Sequence, residues 1–157
     1  TVPDRLRRAV AAQPSSALAT VPDRLRRAVA AQPSSALGQP DAAGWSVERV
    51  IAHMAVYAHA NGVFVHRMVT MTDPEREDFN EDEAASAYAQ TDAAALLDQF
   101  EREIGQTVDF LSETPDAAWG RPGRIRGLRR SVRQHVALHI NHMDEHITQV
   151  ETLLRPE

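Results

Sequence analysis

The chain has 157 residues, of which 43% are hydrophobic and 25% charged, and these are the length and composition of one globular domain with a single core. A formal net charge of −5 argues against nucleic acid as a partner, because proteins that bind it present a basic surface. Without cysteine the chain has no disulfides, thiolate metal ligands or internal thiol nucleophile. No apolar run reaches the roughly 18 to 20 residues that cross a bilayer, and no secretory signal is recognisable, so we expect a soluble, cytoplasmic protein with no membrane partner.

The N-terminus contains an identical tandem repeat. The residues TVPDRLRRAVAAQPSSAL occupy positions 1–18 and again 20–37. Solenoid repeats diverge and need about three copies to share a core, so we interpret this repeat as a recent duplication or a cloning artefact. Residues 1–19 are then an extra copy, and residues 20–157 are the folded unit. Pro22 suits the first turn of a helix formed by the second copy. Three placements are open for the extra copy: it can extend that helix, lie on the surface or enter another subunit.

Three further helices are predicted downstream of the repeat. Ser46 is an N-cap for a helix over residues 46–70, in which His53 faces inward. A third helix covers residues 92–112, and Ser131 caps a last helix that ends near residue 154. Residues 72–90 are predicted to be a solvated acidic loop, because they lack the ligand pattern of an EF-hand. Four helices without a clear strand pattern predict an all-α four-helix bundle.

Six arginines lie in the segment RPGRIRGLRRSVR, at residues 121–133. Such a cluster can bind an anionic substrate or cofactor, since the guanidinium group matches the geometry of carboxylates and phosphates. The alternative, which we favour, is that these arginines lie on a surface loop and on the first turn of the last helix.

The last predicted helix carries four of the seven histidines. At about 100° per residue, these four fall on one stripe that borders the apolar face, and they are His135, His139, His142 and His146. Imidazoles four residues apart can converge on one first-row metal ion, and the inward-facing His53 can join them from another helix. The spacing alone does not choose among the neighbouring pairs of the stripe.

The segments GWSVERVIAHM and RQHVALHINHMDEHITQ together resemble the DinB-like superfamily. In that family a four-helix bundle places one metal-binding histidine after a Trp-Ser helix start and two more as His-x-x-x-His in the last helix, closely followed by Gln. The resemblance covers roughly residues 20–154. It implies that His53, His142 and His146 are the metal ligands, with Gln149 in the family's Gln position.

Four further residues are candidates for catalytic or binding roles. Glu145, beside the histidine stripe, and Tyr57, on the inward face of its helix, are candidate catalytic groups. His139 and Gln149 are candidate cofactor contacts. Three of the four have a purely structural alternative. Glu145 can be a solvated acid, Tyr57 a core tyrosine, and His139 a buried imidazole whose hydrogen bonds are satisfied within the protein. Many family members carry an acidic residue shortly after the first histidine, whereas this chain has none at positions 55–57.

The resemblance also implies an activity. Characterised members include metal-dependent S-transferases and isomerases that use low-molecular-weight bacterial thiols such as bacillithiol or mycothiol. We therefore expect a divalent metal (zinc, nickel, iron or manganese), a thiol cosubstrate and a small electrophile, in stress response or detoxification. A non-catalytic stress-response protein that binds or sequesters a ligand is one alternative, and a metal-dependent hydrolase is another. Bundles of this kind often pair, so a homodimer is a further expectation.

Overall fold

The computed structural model describes the backbone of residues 2–156 and the side chains of residues 14–156. Its elements are α1 (Val2–Val29), α2 (Ser34–Leu37), α3 (Val47–Thr70), β1 (Glu75–Arg76), α4 (Glu81–Ser86), α5 (Ala93–Ser112), a 3-10 helix (Asp116–Gly120), β2 (Pro122–Ile125), β3 (Leu128–Ser131) and α6 (Val132–Leu153). The long helices α1, α3, α5 and α6 form a four-helix bundle, in which α1 and α3 each pack against both α5 and α6. The predicted fold class is confirmed.

The helices that follow the repeat begin at side chains that cap them. The Ser46 hydroxyl accepts a hydrogen bond from the backbone N–H of Arg49, and the Asp92 carboxylate accepts one from the first turn of α5. Ser131 and Gln134 form a capping box at α6, in which each side chain accepts from the backbone N–H of the other residue. The three helices predicted downstream of the repeat are confirmed.

The core lies between the four long helices, because each presents apolar residues at three- and four-residue spacing on its inner face. Burying a side chain of leucine size contributes about 1.5–3 kcal/mol. The largest fully buried side chains include Phe100, Leu18, Leu25, Ile51, Met54, Met68, Leu96, Ile104, Leu111 and Met143. Within residues 2–156, no helix combines the length and the hydropathy needed to span a membrane.

α1 crosses the boundary between the two copies of the repeat. The prediction that Pro22 lies in a first turn is wrong, because both Pro14 and Pro22 are inside this helix. A proline lacks the N–H for one intrahelical hydrogen bond, and the burial of Leu18 and Leu25 on either side of Pro22 offsets that loss. Of the three alternatives for the extra copy, α1 shows the extended helix. The division of the chain at residue 19 stays a prediction.

A small sheet corrects two predictions. β1 pairs in parallel with β2, and β2 pairs antiparallel with β3. The β2–β3 hairpin turns through Arg126 and Gly127, whose φ values of 51° and 76° suit the tight turns that match the twist of paired strands. The expected absence of strands is therefore wrong, and so is the solvated loop over residues 72–90, which contains β1 and α4. Strands of two to four residues are too short to show a readable alternation in sequence.

The sheet packs against the C-terminal half of α3. Gly123 allows this approach, because an added Cβ would lie 2.7 Å from the Met68 side chain and 2.8 Å from Phe64. The hairpin thereby covers the bundle beside α3 and brings β1 next to Asn61, whose side-chain oxygen accepts a hydrogen bond from Arg76.

Three arginines of the segment at 121–133 make structural contacts. Arg121 donates to two backbone carbonyls at the end of α3, at 3.1 and 2.8 Å. Arg124 pairs with Asp73 at 2.9 Å, and Arg126 pairs with Asp78 at 3.0 Å. These pairings support the favoured alternative over anion binding for these three side chains. The segment forms a hairpin rather than the expected loop.

Candidate metal centre

His53 lies on the inner face of α3 and is 5% exposed, which confirms its predicted orientation. The Trp45 ring packs against it, with centroids 5.0 Å apart. The turn before α3 fixes Trp45, since the Asp41 carboxylate accepts from its backbone N–H and the Arg49 guanidinium lies 4.1 Å from its ring centroid. Burial is the main reason why the pKa of His53 lies below its ordinary value.

Asp82 is the acidic group beside His53, with Oδ1 3.5 Å from Nε2 of the imidazole. Its charge raises the pKa of His53 and so opposes part of the effect of burial. α4 positions it, because the Asn80 side chain caps this helix by accepting from the backbone N–H of Glu83. Sequence reasoning missed Asp82, although NEDE, a capping residue followed by three acids, is a recognisable helix start.

A cavity of about 350 Å³ opens next to His53 and Asp82, between α3, α4 and the beginning of α5. Its wall is mixed, with the charged Glu48 and Arg49 and the apolar Ala52, Ala85 and Leu96. This volume is enough for a small molecule with an apolar body and a few polar groups.

His142 and His146 lie one turn apart on α6, and their Nε2 atoms are 3.1 Å apart. Two nitrogen ligands at about 2.0–2.1 Å from one ion stand roughly 3 to 3.4 Å apart, so this spacing suits a shared ion as well as a hydrogen bond between the rings. Both side chains are half-buried, at the border where the sequence places them. Gln149 Oε1 lies 3.2 Å from His146 Nδ1 and orients that ring.

His53 is within electrostatic reach of the pair on α6. Besides burial, the charge of His146 lowers the pKa of His53, and the charges of His146 and His53 lower the pKa of His142. Among the described residues, no three His, Asp or Glu side chains converge closely enough to hold an ion as they stand. The Nε2 atom of His53 is near Asp82 instead. The ligand set of three histidines therefore stays a prediction.

Tyr57 and Glu145, the two candidate catalytic groups, are placed differently. The Tyr57 ring meets the His142 ring edge to face at 4.6 Å and the Phe79 ring at 5.8 Å, so it covers His142. Glu145 is exposed, and its charge raises the pKa of His142 against the larger lowering by burial and by His146. The structure thus brings Tyr57 to the histidines and leaves Glu145 at the solvent edge.

His135 and His139 lie deeper than the predicted border position, at 4% and 6% exposure. The border prediction is wrong for these two, because the sheet and α3 cover this end of α6. His139 Nδ1 lies 3.0 Å from the amide nitrogen of Asn61 and accepts its N–H, and His135 packs edge-on against Phe64. Burial lowers the pKa of His135 to about 4 and that of His139 to about 3, so both are neutral at pH 7.

The fold and the histidines define the class of the chain as a four-helix bundle with imidazoles from two helices directed to its interior. A sequence profile of the DinB superfamily matches residues 17–150, and the chain belongs to this superfamily. No curated protein matches it.

Two solved structures share the fold. YfiT from Bacillus subtilis, described as a probable metal-dependent hydrolase with an unusual four-helix bundle topology, matches with a TM-score of 0.81 and 20% identity, over 90% of this chain and 83% of YfiT. A mutant of the mycothiol-dependent maleylpyruvate isomerase matches with a TM-score of 0.71 and 15% identity. That match covers 88% of this chain but only 59% of the isomerase, which is the longer protein.

Proposed function

We propose that the chain is a metal-dependent enzyme in which His53, His142 and His146 bind one divalent ion. The observation that carries the proposal is the separation of 3.1 Å between the Nε2 atoms of His142 and His146, with Gln149 orienting His146. Metal binding requires neutral imidazoles, and the pKa values of His53 and His142 lie below the ordinary value. The proposal requires the His53 ring to move from Asp82 towards the pair on α6.

The ion would supply an open coordination position at which a thiol or a water loses its proton near neutral pH. Tyr57 packs on His142 and keeps water from one side of that ring. Asp82, whose side chain is 76% exposed beside His53, would accept the released proton and pass it to solvent. The chain has no cysteine, so a sulfur nucleophile has to come from outside.

The proposed reaction is the transfer of a low-molecular-weight thiol to a small electrophile. The thiolate sulfur forms a bond to the electrophilic carbon, and the electron pair of the broken bond leaves with the leaving group or stays on the opened epoxide oxygen, which takes up a proton. The cavity beside His53 has room for such an electrophile. The fold shared with a mycothiol-dependent isomerase supports a thiol as the cosubstrate. Zinc, nickel, iron and manganese all accept imidazole ligands.

Hydrolysis by water is the second candidate. It is favoured by the more complete likeness to YfiT, which is described as a probable metal-dependent hydrolase and of which the chain covers 83%, against 59% for the isomerase. The same histidines would serve, with water in place of the thiol.

Metal analysis followed by activity assays separates these functions. Protein purified without a metal-affinity column would be analysed for bound metal, then assayed with mycothiol or bacillithiol and a chlorinated aromatic electrophile. We expect one ion per chain and conjugation that is lost in His142→Ala but kept in His59→Ala, whose imidazole is 63% exposed on the outer side of α3. Ester hydrolysis without conjugation would support the hydrolase. Ligand binding that is unaffected by a chelator, in a chain without metal, would overturn both and support a sequestering protein.

A further inference from the structure

Arg76 is a half-buried positive charge without an acidic partner in the part of the chain that the structure describes. Its Nη1 donates to Asn61 Oδ1 at 3.1 Å, while its Nε is buried and has no hydrogen-bond partner among the described residues. Over residues 14–156, no carboxylate lies within ion-pair distance of its guanidinium. A buried donor without an acceptor costs free energy, so the site is incomplete as it stands.

The acids near Arg76 in sequence line the same surface cavity and compensate its charge only in part. Asp78 pairs with Arg126 at 3.0 Å, and the neighbours Glu75 and Glu77 are exposed. Burial accordingly lowers the pKa of Arg76, the charge of Asp78 offsets only part of that effect, and the charge of Arg126 adds to it. An anion from outside the chain would supply the missing acceptor and the missing charge.

A chain of side-chain contacts connects Arg76 to His142 through two aromatic rings. The Arg76 guanidinium carbon lies 5.6 Å from the centroid of Phe79, Phe79 meets Tyr57 at 5.8 Å, and Tyr57 meets His142 at 4.6 Å. Arg76 is also linked to α6 by hydrogen bonds, because Asn61 contacts both its guanidinium and His139, which lies one turn before His142. A ligand that contacts both Arg76 and His142 would lie against the rings of Phe79 and Tyr57.

The guanidinium is held in place by Asn61 of α3, which is itself hydrogen-bonded to His139 of α6. The amide of Asn61 donates to His139 Nδ1 at 3.0 Å and accepts from Arg76 through its oxygen, so one buried chain of hydrogen bonds fixes the arginine. A second buried atom without a partner, His135 Nε2, is within electrostatic reach of the same guanidinium. Such a fixed guanidinium presents Nε and a terminal nitrogen in parallel, which is the geometry that a carboxylate accepts.

We propose that Arg76 binds the carboxylate of the small molecule that reaches the histidine site, so that the ligands of this protein are carboxylate-bearing molecules. Binding of the carboxylate does not depend on the proposed function. Only the role of the ligand as a substrate or cosubstrate rests on that function. The carboxylate belongs either to the electrophile or to the thiol. Because Nε is buried, the side chains that cover it have to move aside when the ligand enters.

Binding of benzoate, with benzamide as its neutral match, tests the proposal without any turnover. Titrations would follow the Arg Nε–H resonances of the full chain by NMR. We expect the wild type to bind benzoate at least about tenfold more tightly than benzamide, because a charge-assisted bidentate contact is lost in the amide. Arg76→Gln should lose this preference, while Arg126→Gln, which removes a charge from the adjacent hairpin, should keep it. Equal benzoate affinity in wild type and Arg76→Gln, or no benzoate binding to the wild type, would overturn the proposal.

Circular dichroism would show whether Arg76→Gln folds. If it does not, the wild-type resonance of Arg76 Nε–H decides: a shift on adding benzoate supports the site, and no shift overturns it. The same titration on His142→Ala separates this site from the enzyme. If the chain binds benzoate but holds no metal and catalyses no conjugation, the carboxylate site is supported and the proposed enzyme function is contradicted. If the chain catalyses conjugation but has equal KM for acid and amide forms of the electrophile and of the thiol, the enzyme function is supported and the carboxylate site is contradicted. In Arg76→Gln, a raised KM for the electrophile or for the thiol shows which of them carries the carboxylate.

Discussion

Gln149 and His146 contact each other on α6, with the Gln149 side-chain oxygen 3.2 Å from Nδ1 of the imidazole. When this oxygen accepts the Nδ1–H, the proton is held on that nitrogen and the lone pair on Nε2 is free to bind an ion. The amide also fixes the plane of the ring. Gln149, predicted as a cofactor contact, therefore acts in the proposed site by orienting a ligand.

Replacing Gln149 with Leu should weaken metal binding about 10- to 100-fold, because the His146 ring loses its orientation and its preferred tautomer. Competition with a chromogenic chelator measures this affinity. Gln106→Leu is the matched control, since Gln106 is exposed on α5. Equal metal affinities in the two variants would contradict the orienting role of Gln149.

Metal should stabilise the folded chain. An ion that binds only the native state at about 100 times its Kd adds about 2.7 kcal/mol to the free energy of unfolding. We expect the melting temperature to rise on adding metal to chelated protein. The rise should disappear in His146→Ala and persist in His66→Ala, which changes an exposed histidine of α3. A rise of the same size in both variants would place the ion elsewhere.

Acidification should destabilise the fold through His135 and His139. Their pKa values are about 4 and about 3 in the native state, against 6.5 for an ordinary imidazole, so the unfolded chain takes up protons first as the pH falls. The stabilisation is complete above pH 6.5 and is lost as the pH falls towards 4, by up to about 1.4 kcal/mol per pH unit for each histidine.

Urea unfolding at pH 7, 6 and 5 measures this slope. His135→Phe should reduce it by up to about 1.4 kcal/mol per unit, because one titrating imidazole is removed from beside Phe64. A slope that is the same in wild type and His135→Phe would show that His135 does not stay neutral in the fold.

Truncation should distinguish two parts of the extra copy. Leu18 is fully buried, so removing residues 1–19 should cost stability comparable to a buried Leu→Ala change, about 2–5 kcal/mol. Removing residues 1–13 leaves Leu18 and the span matched by the family profile in place, and we expect little loss. Thermal melting measures both truncations, and sizing tests the expected homodimer. If both truncated chains melt at the temperature of the full chain, the whole extra copy is dispensable, as the sequence predicts.

The sequence by itself determined the elements whose signals are local. Ser46, Asp92 and Ser131 cap their helices through hydrogen bonds within one turn, and apolar spacing then fixes which side of each helix is buried. The inward position of His53 follows from the same periodicity. These features depend on residues that are close in sequence, so the sequence pattern predicts them correctly.

Only the tertiary structure decided which polar groups meet. Asp82 reaches His53 from α4, and Arg76 reaches Asn61 from β1; these pairs depend on how a short helix and a short strand pack on α3. The repeat makes the same point: AAQPSSAL is helical at residues 11–18, yet at residues 30–37 it forms a turn and the short helix α2. Identical residues have identical local propensities, which differ by only about 1 kcal/mol per residue among most side chains, so burial against the rest of the chain selects the structure.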